Sequence, residues 1–174
     1  LSGSLDLIIE NTILDPMIFG KTFFCEEHMI LTVPKKFESN KKAAAYALTA
    51  DEIKHGIHLD DSFPVVPLQI FSSEPFLFLK SGNDTRSRAD RICHNQHFSP
   101  FIKLKLDQQI TAYNLTCYGL GISFNGDILI RHVPSNENLV FYKLDRQEAT
   151  RTVNFYYKQN RYMTKAVREF LNCI

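Results

Sequence analysis

Pro75-Phe-Leu-Phe-Leu79 followed by Lys80-Ser-Gly-Asn-Asp-Thr85 opens the stretch that decides the fold, which runs on to Phe124. The first piece is an apolar run with the length and composition of a strand. The second cannot continue a strand, and it carries several groups able to cap a helix. An arginine-rich helix follows over about Arg86–His97, then a strand at Ile102–Leu106. Asp107 reads as the N-cap of a helix over about Gln108–Tyr118, with Ile110, Tyr113 and Cys117 at helical spacing. Gly119 reads as its stop, Leu120–Phe124 as a strand and Asn125-Gly126 as a turn. The 80–85 turn therefore stands at a helix N-terminus. Backbone N–H groups there lack intrahelical partners and can hold an anion or a polar ligand.

Strand and helix signals continue outward. Leu5–Ile9 reads as a buried strand ending in the polar turn Glu10-Asn11-Thr12, and Ile13–Lys21 as irregular. Met29–Val33 is an apolar strand stopped by Pro34. Lys35–Asn40 reads as a polar linker and Lys41–Leu48, rich in alanine, as helical. Thr49-Ala-Asp-Glu52 has the spacing of a capping box, and Gly56 is a stop for its helix. Asp60–Val66 is a proline-containing loop and Leu68–Phe71 a short helix or turn. Ile128–Val133 leans to strand; Leu139–Leu144 and Thr152–Lys158 are strands. Tyr162–Ile174 is an amphipathic helix with Met163, Ala166, Val167, Phe170, Leu171 and Ile174 on one face. Alternating strands and helices specify an α/β fold with largely parallel sheets.

Composition narrows the function classes. The chain has 174 residues, 44% of them hydrophobic, enough for one globular domain or two lobes. Twenty Lys and Arg against 19 Asp and Glu leave a net charge of +1, which is not the footprint of a nucleic-acid-binding domain. No apolar run has the length of a membrane span, so no membrane association is expected. Cys25, Cys93, Cys117 and Cys173 are far apart and read as reduced, mostly buried thiols of a cytoplasmic protein. Leu1-Ser-Gly-Ser4 leads straight into a buried strand, so the chain is expected to start inside a domain.

Several pieces in order carry a family pattern: Gly3-Ser-Leu-Asp-Leu-Ile-Ile9, Glu27-His-Met-Ile-Leu-Thr-Val-Pro34 and Glu74 through Thr85. Phe98-Ser-Pro-Phe-Ile102, Tyr118-Gly-Leu-Gly-Ile-Ser-Phe124, Arg151 through Lys158 and the last helix complete it. In that order and spacing, over nearly its whole length, the chain resembles the effector-binding domain of the bacterial LysR-type transcriptional regulators. The resemblance implies a two-lobe, periplasmic-binding-protein-like (type 2) α/β fold with a small effector, such as an organic anion, held between the lobes. It assigns residues 1–34 and 140–174 to subdomain I and 35–139 to subdomain II. It implies homo-oligomers of the full-length protein, with DNA contacted only through a winged helix-turn-helix that this chain lacks. The chain departs from the family in two places. The strand and helix pairs that open the family domain are missing, so the first lobe is expected to be incomplete. Phe37–Val66 exceeds the usual crossover and implies an extra surface helix.

The family places effector contacts on loops. Those contacts map to Thr12 in the first lobe, to Ser81, Gly82, Asn83 and Thr85 in the turn, to Asp107 and Gln108, and to Phe124. Each has a plainer role beside this one: an ordinary polar turn for Thr12, helix capping for the turn and for Asp107, core packing for Phe124. Lys80 can pair with a carboxylate or stay solvated.

No catalytic, cofactor or metal site is expected. Cys93 and His97 lie one helical turn apart but have no partner pair at zinc-like spacing. Gly119-Leu-Gly121 closes a helix and is no dinucleotide fingerprint. The charged run Arg86-Ser-Arg88-Ala-Asp-Arg91 reads as a solvated face. Three readings compete: a ligand-sensing regulatory domain, a periplasmic solute-binding protein of a transporter, and an enzyme on the same fold. No nucleophile–base pair recommends the last.

Overall fold

The computed structural model describes residues 5–173. Residues 1–4 and 174, part of the expected first segment and of the last helix, lie outside the described residues. The chain divides into two compact units, residues 28–150 and the segments on either side of them. The sequence places the divisions at 34/35 and 139/140. Here they fall at 27/28 and 150/151, because the end of the strand Phe19–Pro34 and all of the strand Leu139–Lys143 pair within the second unit.

In the first unit, β1 (Ile8–Glu10) pairs antiparallel with β8 (Thr150–Lys158), Ile8 opposite Tyr156 and Glu10 opposite Asn154. β8 has the early part of β2 (Phe19–Pro34) on its other side. β2 is a 16-residue strand that starts inside the segment expected to be irregular. Phe155 meets Phe24 and Phe170 edge to face, at 5.0 and 5.5 Å between centroids. Phe170 belongs to α7 (Lys165–Asn172), whose N-cap Thr164 accepts the N–H of Val167. Glu27 and Arg151 form a buried ion pair between β2 and β8.

The second unit is built on a mixed sheet ordered β3-β7-β2-β6-β4-β5. β4 (Pro75–Leu79) sits between β5 (Phe101–Leu106) and β6 (Ile122–Gly126) and is parallel to both. β2 pairs antiparallel with β6 and with β7 (Leu139–Lys143), and β7 with β3 (Ala47–Leu48). Only the β4 pairings are parallel among those described, so the sheet is mixed rather than largely parallel.

Period-2 alternation sorts the core into two layers. Met29, Leu31, Phe76, Phe78, Ile122 and Phe124 meet Ala89, Ile92 and Cys93 of α3 (Asp84–Asn95). Ile30 and Phe141 meet Ile53 of α2 (Ala50–Lys54), Tyr113 of α4 (Gln109–Cys117) and Ile130 of α5 (Asp127–His132). The chain leaves β4 for one neighbour through α3 and crosses to the other through α4. Right-handed crossovers in opposite directions put the two helices on opposite faces, as the two cores require.

Several sequence expectations give way to tertiary contacts. The alanine-rich 41–48 segment is not one helix: α1 (Ser39–Lys42) and a 3-10 turn at Ala44–Tyr46 precede β3. Leu48 is buried opposite Phe141, and that pairing overrides helix propensity. Asn125 and Gly126 are no turn but the buried end of β6, paired with Ile30 and Met29. The Asn125 amide donates to Ser123 Oγ at 2.8 Å and to Thr32 Oγ1 at 2.9 Å, and Thr32 is 93 residues away along the chain. Residues 128–132 are helical rather than extended, since α5 starts directly at Asp127, and only Val133 is extended.

The capping box forms as read. Thr49 Oγ1 accepts the Glu52 N–H at 3.2 Å, and Glu52 Oε2 accepts the Thr49 N–H at 2.7 Å. Thr49→Ala should cost about 1 kcal/mol, read as a lower midpoint in chemical denaturation. Gly119 carries φ +75 and closes α4 in a Schellman arrangement, its N–H to Thr116 O and that of Leu120 to Leu115 O. A Cβ there would also collide with the Lys36 side chain. Gly119→Ala should therefore lose about 1–2 kcal/mol, measured in the same way. Gly121 serves close approach: a Cβ would stand 2.8 Å from the Pro75 carbonyl oxygen of β4.

Candidate functional site

β4, β5 and β6 end at Leu79, Leu106 and Gly126, and antiparallel β2 enters the sheet at the same edge through Met29. α3, α4 and α5 begin just beyond those ends. In open α/β sheets the carboxyl edge of the parallel strands is where ligands bind, at the point where successive crossovers diverge. Here that point is β4.

The turn after β4 leads into α3. Gly82 has φ +90 and open space where a Cβ would be. Asn83, rather than Asp84 or Thr85, is the N-cap of α3: its side-chain oxygen accepts the Thr85 N–H at 2.9 Å. Ser81 and Gly82 are exposed, Asn83 half-buried and Thr85 buried. These four residues stand together.

Asp107 and Gln108 are exposed on the adjoining loop. Asp107 does not cap α4. That position is held by Gln108, whose side chain makes no cap bond. The Asp107 carboxylate is instead engaged by Lys80 Nζ, at 2.8 Å, which links the loops after β4 and β5. The Phe124 ring lies inside the core, 5.4 Å from Phe78 and 6.2 Å from Phe76, and is 4% exposed. Thr12 belongs to the first unit, where it is exposed and its N–H reaches Glu10 Oε1 at 3.2 Å.

Arg86 and Arg88 of α3 depart from a solvated face, while Arg91 is 49% exposed. Arg86 lies over the Phe78 ring at 5.1 Å, pairs with Asp90 and donates to Leu79 O at the end of β4. Arg88 pairs with Asp84 and donates to Glu148 O and Thr150 O. Both are less than a fifth exposed. They brace α3 against its surroundings. Cys93, inside the same helix, is buried, and burial pushes its thiol up to about 12. None of the four cysteines is in a disulfide, but only Cys93 is buried and Cys173 is exposed.

The same edge carries a cluster that the sequence pattern does not single out. Asp127 is the first residue of α5; its Oδ1 accepts the His28 N–H at 2.8 Å. Its Oδ2 meets His58 Nε2 at 3.0 Å and Arg131 Nη2 at 2.9 Å. Burial pushes this carboxyl up. Hydrogen bonds from His58 and the His28 N–H, with the Arg131 charge, outweigh it and hold it below the usual carboxylate range. The three residues are 30 and 69 positions apart, and no local spacing could have grouped them.

Residues 54–174 match the family described as LysR substrate binding domain. An uncharacterized HTH-type transcriptional regulator of Bacillus subtilis (strain 168), YcgK, is 25% identical over 170 residues. That match covers 97% of this chain and 50% of YcgK, so the chain spans about half the length of this curated relative. Among solved structures, the regulatory domain of Synechocystis PCC6803 CcmR in complex with 2-PG superposes with a TM-score of 0.72 at 13% identity. It covers 98% of this chain and 72% of that one. The effector binding domain of QuiR in complex with shikimate gives 0.67 at 14% identity, over 96% and 68% of the two chains. These structures share the two-lobe type 2 α/β fold with this chain. Among the described residues, no helix is long and apolar enough to cross a membrane.

Proposed function

Because the chain belongs to the LysR substrate binding domain family, we propose that it is the ligand-sensing part of a cytoplasmic transcriptional regulator and binds a small organic anion. The observation that carries this reading is the 81–85 turn, a glycine-opened loop leading into the capped N-terminus of α3 at the end of the central parallel strand. The peptide dipoles of α3 end at that position and favour negative charge. Ser81, Asn83 and Thr85 supply hydroxyl and amide groups, and Gly82 lets a ligand approach the backbone. Gln108 and Asp107 border the same edge. Phe124 acts from beneath, holding Phe78 and thereby the end of β4.

The family match supports a sensing role for the chain rather than a catalytic one. The full-length protein contacts DNA through a winged helix-turn-helix and assembles as a homo-oligomer. The effector must bind one state of that protein better than another, since equal affinity shifts nothing. The family match and the regulator among its relatives favour this reading over a transporter's solute receptor.

Asn83→Asp is the discriminating variant. It keeps the oxygen that caps α3 and adds a negative charge where the anion sits. One unit charge at about 4 Å in a water-like medium is worth about 1 kcal/mol. Titration calorimetry against small dicarboxylates and phosphate esters should show affinity falling roughly five- to tenfold, with unchanged thermal stability. Equal affinity for wild type and variant would place the ligand elsewhere.

A further inference from the structure

We propose that His28, His58 and Asp127 form a binding site for a divalent transition-metal ion of the zinc class. One ligand atom from each lies within 4.8 Å of the other two. His28 Nδ1 and His58 Nε2 stand 3.9 and 3.0 Å from the same oxygen, Asp127 Oδ2. Tetrahedral zinc with bonds of about 2.0–2.1 Å holds its ligand atoms roughly 3.3 Å apart, and the two distances bracket that value. Two imidazoles and a carboxylate are a borderline donor set suited to zinc, not to magnesium or calcium, which take oxygen ligands.

The side chains are held in place before any ion arrives. Those of His58 and Asp127 are 2% and 1% exposed, that of His28 12%. Three separate elements present them: β2, the 3-10 turn Ile57–Leu59 and the start of α5. A small cavity bordered by His28, His58, Met29, Leu59 and Lys143 adjoins the cluster.

Binding a metal through Nε2 places the His58 ring proton on Nδ1 and replaces the hydrogen bond to Asp127 with a shared ion. Arg131, which is 35% exposed and pairs with the same Oδ2, swings to solvent to make room. Three protein ligands leave a fourth position for water or for an oxygen of a small ligand. The site lies on the sheet edge that carries the 81–85 turn, but it stands on its own residues and does not depend on the effector reading.

The test uses Co²⁺ as the probe on the chain after chelator treatment and dialysis. The expected result is one equivalent of Co²⁺ with a visible ligand-field spectrum, displaced by Zn²⁺. The spectrum should lack the intense near-ultraviolet band of cobalt–thiolate bonding, which sets aside the four cysteines. His28→Gln and Asp127→Asn should each weaken binding roughly 100-fold or more, beyond the 10–100-fold typical of second-shell changes. Circular dichroism of the metal-free variants checks their folding. If a variant does not fold, ¹⁵N imidazole spectra of the wild type decide: Zn²⁺ must shift two of the six histidines. No stoichiometric Co²⁺ spectrum, binding unchanged in the folded variants, or shifts at other histidines would overturn the proposal.

Discussion

Phe76→Ala should destabilise the second unit by about 3–5 kcal/mol. Phe76 is fully buried in β4, the strand with parallel neighbours on both sides. Its ring meets Phe98 at 5.4 Å and both Phe78 and Phe124 at 6.2 Å. Truncation removes the aromatic contacts and leaves a cavity under α3 that rigid strands cannot close. Phe101→Ala on the neighbouring edge strand is the control: that ring is 64% exposed and should cost less than about 0.5 kcal/mol. Urea denaturation followed by circular dichroism reads both. Equal effects at the two positions would mean that β4 is not the centre of this core. Ligand response should weaken together with stability in Phe76→Ala, because β4 carries the 81–85 turn at its end.

Arg151→Met should cost a similar amount, about 3–5 kcal/mol, and in the other unit. The Arg151 guanidinium donates through Nε and Nη2 to Glu27 Oε2, and the two side chains are only 7% and 10% exposed. Removing the arginine leaves a carboxylate buried without its cation, and that uncompensated charge produces most of the loss. The double variant Glu27→Leu/Arg151→Met should regain much of it, since an apolar pair of similar volume avoids the desolvation of both ions. A double-mutant cycle in urea gives the coupling. A loss below about 1 kcal/mol in the single variant would class the pair with exposed salt bridges. The residues stand at 27 and 151, where the chain passes between its two units in each direction. The pair thus fixes β2 to β8 at both crossings.

What could be read from the sequence was local. Pro75–Leu79 is found with the boundaries expected, because five apolar residues flanked by proline and a polar turn have no competing structure. The Thr49 capping box and the Gly119 stop were legible for the same reason: each is a bond between residues three to five apart. Failures cluster where a distant partner decides. Asn125-Gly126 has the signature of a hairpin turn, yet Thr32, 93 residues away, makes it the end of a strand. Asp107 has the chemistry of a cap, but Lys80 takes its carboxylate. Arg86 and Arg88 read as solvated charges because the carbonyls they bind belong to other elements. For the candidate site, the 81–85 turn was visible as a turn before a helix. The His28, His58 and Asp127 cluster was not, since a strand, a 3-10 turn and a helix far apart in the chain bring them to one edge.

The most direct test of the sensing account is amide chemical-shift mapping of the ¹⁵N-labelled chain, titrated with small dicarboxylates and phosphate esters. The account predicts that a binding anion moves the amides of Ser81, Gly82, Asn83 and Thr85 most, followed by Gln108. A ligand that binds and leaves those amides unmoved, while shifting residues elsewhere, would contradict it.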